Sequence, residues 1–167
     1  MPKTIKNIYD NSISFENLLK AHKKARCGKR EKKKIILFEL KLEQELLELE
    51  KQFKNGTYKH GGYTKFKIYE PKERMIMASE YKDRVVHQWY VEKFIKPYFV
   101  PQFISTSYAG IEGRGMHKAS KDVQKAMRSS KSKWKNYYIL KMDITKYFQN
   151  IDKRIFWKIL KRKMKNK

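Results

Sequence analysis

Asp143 closes a nearly continuous apolar and aromatic run, Tyr137-Tyr138-Ile139-Leu140-Lys141-Met142, and is the acid best placed to do chemistry. A run of that length and composition predicts a buried strand. A carboxylate at the end of such a strand offers hard oxygen to Mg²⁺, a cation that usually shares its shell with substrate phosphates. Two-metal phosphoryl transfer needs a carboxylate of this kind to clamp the attacking and leaving oxygens. Asp143 could equally cap the turn before Lys146, and spacing alone leaves both readings open.

Cations and glycines form a second set. The loop Ser105-Thr106-Ser107-Tyr108-Ala109-Gly110-Ile111-Glu112-Gly113-Arg114-Gly115 carries glycines that allow backbone to approach a ligand closely. Gly113-Arg114-Gly115, followed by a helix bearing Lys118, suits phosphate. Arg84 could contact a phosphate or pair with Asp83 or Glu80 to fix a helix start. His87 and His117 lack Cys or His neighbours at ligand spacing, so zinc is not expected. Asp152 reads as the N-cap of the last helix.

The elements that position these residues follow from periodicity. Ser14 is predicted to cap a helix over 14–26 that Cys27-Gly28 ends, with Glu16 in its first turn. A second helix over 31–53 places Ile35, Phe38, Leu42, Leu46, Leu49 and Phe53 on one apolar stripe and stops at Asn55-Gly56. Its glutamates, Glu39 and Glu43 among them, are expected on the solvated side. From Tyr63 the period becomes two. Phe66 and Ile68 share one face and Lys65 and Lys67 the other, which predicts a half-buried strand. Glu70-Pro71-Lys72-Glu73 turns the chain into a returning strand over 74–78, giving a β-hairpin with basic residues on one surface. A helix over 81–96 ends before Pro97, and a further helix over 116–128 carries the stripe Lys118, Lys121, Lys125 and Arg128. Residues 129–133 read as a polar connection. The last helix presents Ile155, Phe156, Ile159 and Leu160 on its apolar face.

Composition narrows the partners. The 167 residues carry 41 Lys and Arg against 17 Asp and Glu, a net charge of +24. Self-repulsion on that scale favours a polyanionic partner, and nucleic acid leads. At 40% hydrophobic and 14% aromatic the chain can build a core that a disordered basic tail cannot. No apolar run approaches the ~20 residues of a membrane span, and the N-terminus has no secretory pattern. With one cysteine, Cys27, an internal disulfide is ruled out and a cytoplasmic protein is expected.

Leu140-Lys141-Met142-Asp143-Ile144-Thr145-Lys146-Tyr147-Phe148-Gln149-Asn150-Ile151-Asp152 closely resembles the first catalytic motif of bacterial reverse transcriptases of the group II intron, retron and diversity-generating type. The hairpin 66–78, the block Tyr81-Lys82-Asp83-Arg84-Val85-Val86-His87 and the stretch from Ser107-Tyr108-Ala109 to Gly113-Arg114-Gly115-Met116-His117 resemble the preceding fingers-to-palm blocks in the right order. The resemblance implies an α/β (α+β) fold, helix-rich: the fingers-palm portion of a right-hand polymerase with one β-hairpin and a palm strand. Its parts would be a helical extension over 1–56, a fingers-like region over 57–135 with the hairpin 63–78, and the first part of the palm over 136–167.

The same resemblance implies RNA-directed DNA polymerisation on an RNA template from a DNA or RNA primer with dNTP, in a two-metal Mg²⁺ site. A structured RNA or an accessory protein would be a further partner, with no role for a membrane. Asp143 would be the metal-binding carboxylate, and the Ile144 carbonyl a further ligand beside the nucleotide. Phe148 would pack under the sugar and exclude a 2′-hydroxyl. Lys67 and Arg74 would meet the triphosphate, with Lys65 and Lys72 as alternative cations on the nucleic acid. Arg84, Arg114 and Lys118 would face template-primer phosphates. Ile111 stands where relatives often carry Arg. No Tyr-x-Asp-Asp stretch occurs, so the sequence reads as fingers and the opening of a palm, inactive alone. The alternative expectation is a non-catalytic RNA-binding protein or a degenerate remnant of such an enzyme.

Overall fold

In a computed structural model, which describes residues 8–163, the chain is mixed α/β, helix-rich with a small two-stranded antiparallel sheet. It divides into two compact units, which among the described residues comprise 8–98 and 99–163.

The first unit runs α1 (Ile8–Ser12), α2 (Phe15–Ala25), α3 (Lys33–Glu39), α4 (Leu42–Lys54), β1 (Tyr63–Ile68), β2 (Arg74–Ser79) and α5 (Tyr81–Tyr90). Ser14 caps α2 as its sequence predicts, its Oγ accepting the Asn17 N–H at 3.3 Å. Asn55 caps α4, and Gly56 follows in the left-handed region at φ 65°. The single helix expected over 31–53 is instead two, broken at Leu40 and Lys41. Glu39 belongs to the inward side, not the solvated one. It ends α3 by accepting from the Arg26 guanidinium at 2.5 Å and meeting buried His22 at 3.2 Å.

α2 packs on α5 and α4, and α3 packs on both of the latter as well. Leu18, Leu46, Leu49 and Val85 are wholly buried between them. Ile35, Phe38 and Phe53 join this core from the predicted stripe. Trp89 stacks tilted on Phe53 at 4.8 Å and donates its indole N–H to the Ser12 carbonyl at 2.9 Å, so a large buried ring keeps its polar atom satisfied. The helix from Tyr81 does not stop before Pro97. A π-turn, Val91–Ile95, leads directly into α6 (Lys96–Phe99), so the chain stays helical through Pro97.

β1 and β2 form the predicted hairpin, with Phe66 opposite Ile76 and Lys67 opposite Met75. The expected half-burial is absent. Every residue of β1 except partly covered Ile68 is exposed. Cross-strand partners share a face, so Lys65 and Lys67 stand with Met75 and Met77, while Arg74 stands with Phe66 and Ile76. The basic residues therefore divide between two surfaces and do not line one.

The second unit follows a 3₁₀ turn, Val100–Gln102, with α7 (Met116–Lys133), α8 (Tyr147–Asn150) and α9 (Lys153–Lys163). α7 passes through the polar stretch expected to be a connection. Ser132 Oγ donates to the Ser129 carbonyl at 2.8 Å, and Lys131 and Lys133 complement the partial negative charge of the helix end. The strand expected over 137–142 is not formed. Tyr138, Leu140 and Met142 are 94%, 79% and 81% exposed. A buried strand needs neighbours for its backbone, and among the described residues none pairs with this segment. Asp152 caps α9 through the Arg154 and Ile155 N–H groups at 2.7 and 3.1 Å. Of the apolar face of α9 only Leu160 is buried. No helix among the described residues is long and apolar enough to cross a membrane.

Candidate nucleic-acid and metal site

Asp143 lies in an irregular, exposed segment and accepts the Ile144 N–H on Oδ1 at 2.9 Å. Three residues later Lys146 adopts the left-handed region at φ 50°, turning the chain into α8. Asn150 ties that turn by donating to the Thr145 carbonyl at 3.2 Å. The turn folds Tyr147 and Phe148 back beside Asp143. Met142, Asp143, Ile144, Tyr147 and Phe148 line one concavity of ≈ 620 Å³. Tyr147 and Phe148 meet edge to face at 5.2 Å, and Phe148 is 84% exposed, so its ring is free of any core duty.

Whether this hook can hold Mg²⁺ is decided by its donors. One Asp143 oxygen is engaged by an N–H, and the other has no hydrogen-bond partner among the described residues. Mg²⁺ sites commonly take one or two carboxylates and complete the shell with phosphates and water. Asp143 with the neighbouring Ile144 carbonyl fits part of one such shell. Among the described residues no group of three His, Cys, Asp or Glu side chains converges.

The hairpin cations do not converge on one point. Lys67 pairs with Glu73 across the turn at 2.7 Å, an exposed contact that a stronger anion can displace. Lys65, Lys72 and Arg74 are exposed, with Lys65 and Arg74 on opposite faces. Arg84 pairs with neither Asp83 nor Glu80. Asp83 is committed to Tyr58 and Gly61, and Glu80 faces Lys34 at 3.4 Å.

That commitment of Asp83 is a feature the sequence did not reveal. The side chain is wholly buried and accepts the Tyr58 hydroxyl at 2.7 Å and the Gly61 N–H at 3.0 Å. Burial, then the bond to Asp83, raises the Tyr58 pKa. His60 Nδ1 lies 3.7 Å from Asp83, and the His60 ring stacks between Tyr63 at 5.0 Å and His87 at 5.3 Å. Burial foremost, then the His60 charge, lowers the His87 pKa. The cluster thus fixes the chain just before β1.

Arg114 and Lys118 border a groove of ≈ 460 Å³ between the 105–115 loop and α7, shared with Tyr108, Asp122 and Lys125. Gly113, at φ 72°, closes the tight turn in which the Arg114 N–H reaches the Ile111 carbonyl at 3.1 Å. Arg114 then donates to the Ile104 carbonyl at 3.0 Å. Lys118 donates to Asp122 at 2.9 Å, as does the Tyr108 hydroxyl at 2.8 Å. The sequence reading placed Lys125 on the basic stripe and Tyr108 in the loop but missed Asp122, although the i,i+4 spacing of Lys118 and Asp122 was visible on the predicted helix.

No family model and no curated protein matches this sequence.

Proposed function

We propose that this chain is a fingers-and-early-palm portion of an RNA-directed DNA polymerase of the right-hand type, binding RNA template, primer and dNTP. The observation that carries the reading is the placing of Asp143, Ile144 and Phe148 around one exposed concavity. A carboxylate beside an exposed aromatic ring provides an anion for a metal-bound triphosphate and a flat surface for a sugar. Mg²⁺, when bound, supplies charge neutralisation for the phosphoryl oxygens. In this reading Asp143 would contribute one ligand and Phe148 would exclude a 2′-hydroxyl, while basic residues of the hairpin and, separately, of α7 would meet phosphates by charge-assisted contacts. The net charge of +24 supports a polyanionic partner.

The paired aspartates that such chemistry also requires are absent from these 167 residues, so the chain is read as inactive by itself. The test is sugar selection. With the chain joined to palm and thumb segments of a bacterial reverse transcriptase, Phe148→Ala should raise ribonucleotide incorporation by at least about tenfold, the scale of one lost steric contact. Unaltered discrimination would remove the sugar-gate assignment.

A further inference from the structure

We propose that Asp122 is a resident competitor in the groove beside α7, holding with its own carboxylate the donors that an incoming single-stranded RNA must take over. The proposal rests on the reading that this chain binds RNA. Asp122 is the sole acid of α7, whose other charged residues are all cations. It sits among Arg114, Lys118 and Lys125 in the groove, on the spot where a phosphate would be drawn. One oxygen, Oδ2, accepts both Lys118 at 2.9 Å and Tyr108 at 2.8 Å, and both donors suit a phosphate oxygen equally well. The mutual hydrogen bond lowers the Asp122 pKa and raises that of Lys118, so both stay charged.

The arrangement is built to exchange. The Lys118 and Asp122 side chains are 47% and 39% exposed, and ion pairs this wet contribute little to stability. Arg114 is held in place by the Ile104 carbonyl and retains N–H groups for another acceptor. A lone phosphate gains Lys118 only by displacing a carboxylate of similar charge. A strand that also reaches Arg114 and Lys125 gains contacts that Asp122 cannot match. The groove therefore favours an extended polyanion over a small one, and a flexible single strand follows it more readily than a duplex. The hydroxyls of Ser105, Thr106 and Ser129 along the rim offer partners to ribose 2′-hydroxyls.

The experiment is fluorescence anisotropy of a labelled oligouridylate with the full chain, comparing Asp122→Asn with Glu112→Gln. Both changes remove one negative charge from the second unit, but only Asp122 lines the groove. Asp122→Asn should tighten binding about fivefold, the worth of one unit charge at contact distance in water, and Glu112→Gln less than about twofold. The salt dependence should steepen by ~0.7 in log–log slope, as one more single-strand phosphate contact is gained. Equal tightening by the two variants, or none by Asp122→Asn while the parent binds RNA, would overturn the competitor role. No salt-sensitive RNA binding by parent or variant would overturn the RNA-binding reading and the competitor role with it.

Discussion

Asp83 and Gly61, separated by 22 residues in sequence, meet through a 3.0 Å hydrogen bond from the Gly61 N–H to Asp83 Oδ2. The other Asp83 oxygen takes the Tyr58 hydroxyl at 2.7 Å. In the hairpin that follows, β1 is exposed for most of its length and in β2 Ile76 and Ala78 are only partly covered, so it gains limited hold from burial of its own. Its attachment lies at its base, where Asp83 of α5 fixes the incoming chain and buried Ser79 and Tyr81 carry the outgoing one.

Gly61→Ala is expected to loosen that base. A Cβ at this position would stand 2.9 Å from Asp83 Oδ2, inside ordinary contact distance, and the Asp83 side chain has no room to move aside. The substitution should cost about 1–3 kcal/mol, the usual range for overpacking a filled site. Urea unfolding measures the loss. Hydrogen exchange should show it concentrated in 57–79, with α2 and α4 protected as before.

Acid should weaken the first unit through His22. The ring is 1% exposed, and burial foremost lowers its pKa below the ordinary 6.5, with Arg26 and Lys23 adding and Glu39 opposing. The folded state then binds fewer protons than the unfolded one. Stability from this residue is full above about pH 6.5 and falls as pH drops from there toward the lowered folded value. Thermal melts at about pH 7.5 and about pH 5.5 check the sign, and His22→Gln should flatten the difference between them. Glu39, held low chiefly by its bond to Arg26, adds a second loss below its ordinary 4.5.

Leucines that look alike in sequence should behave differently. Leu49 is wholly buried and Leu140 is 79% exposed. Leu49→Ala is expected to cost about 2–5 kcal/mol by leaving a cavity, whereas Leu140→Ala should stay within about 0.5 kcal/mol. Denaturant titration of the two variants decides the matter, and a large loss at Leu140 would mean that the 137–142 segment is buried after all.

Local signals carried well from sequence to structure. Ser14, Asn55 and Asp152 cap their helices where backbone donors and acceptors need partners, and such caps depend on neighbours a few residues away. The hairpin emerged for the same reason. Several features set by distant partners failed. Residues 137–142 have the composition of a buried strand, but burial depends on a sheet that must come from elsewhere in the fold. The break after Glu39 coincides with its contacts to Arg26 and His22, 13 and 17 residues away in sequence. Within the candidate site, the family resemblance alone singled out Phe148 beside Asp143, and the short separation of the two lets one local turn bring both to the same concavity. The bond from Tyr108 to Asp122 bridges a loop and a helix, and no periodicity reports it.

The most direct measurement is Mg²⁺-dependent primer extension on an RNA template by this chain joined to the palm and thumb of a bacterial reverse transcriptase. If Asp143 supplies a metal-binding carboxylate, the parent should extend the primer and Asp143→Ala should lose at least about a hundredfold in rate. RNA binding and helix content should remain unchanged, since Asp143 is exposed and supports no core contact. Equal extension by the two proteins would contradict the account.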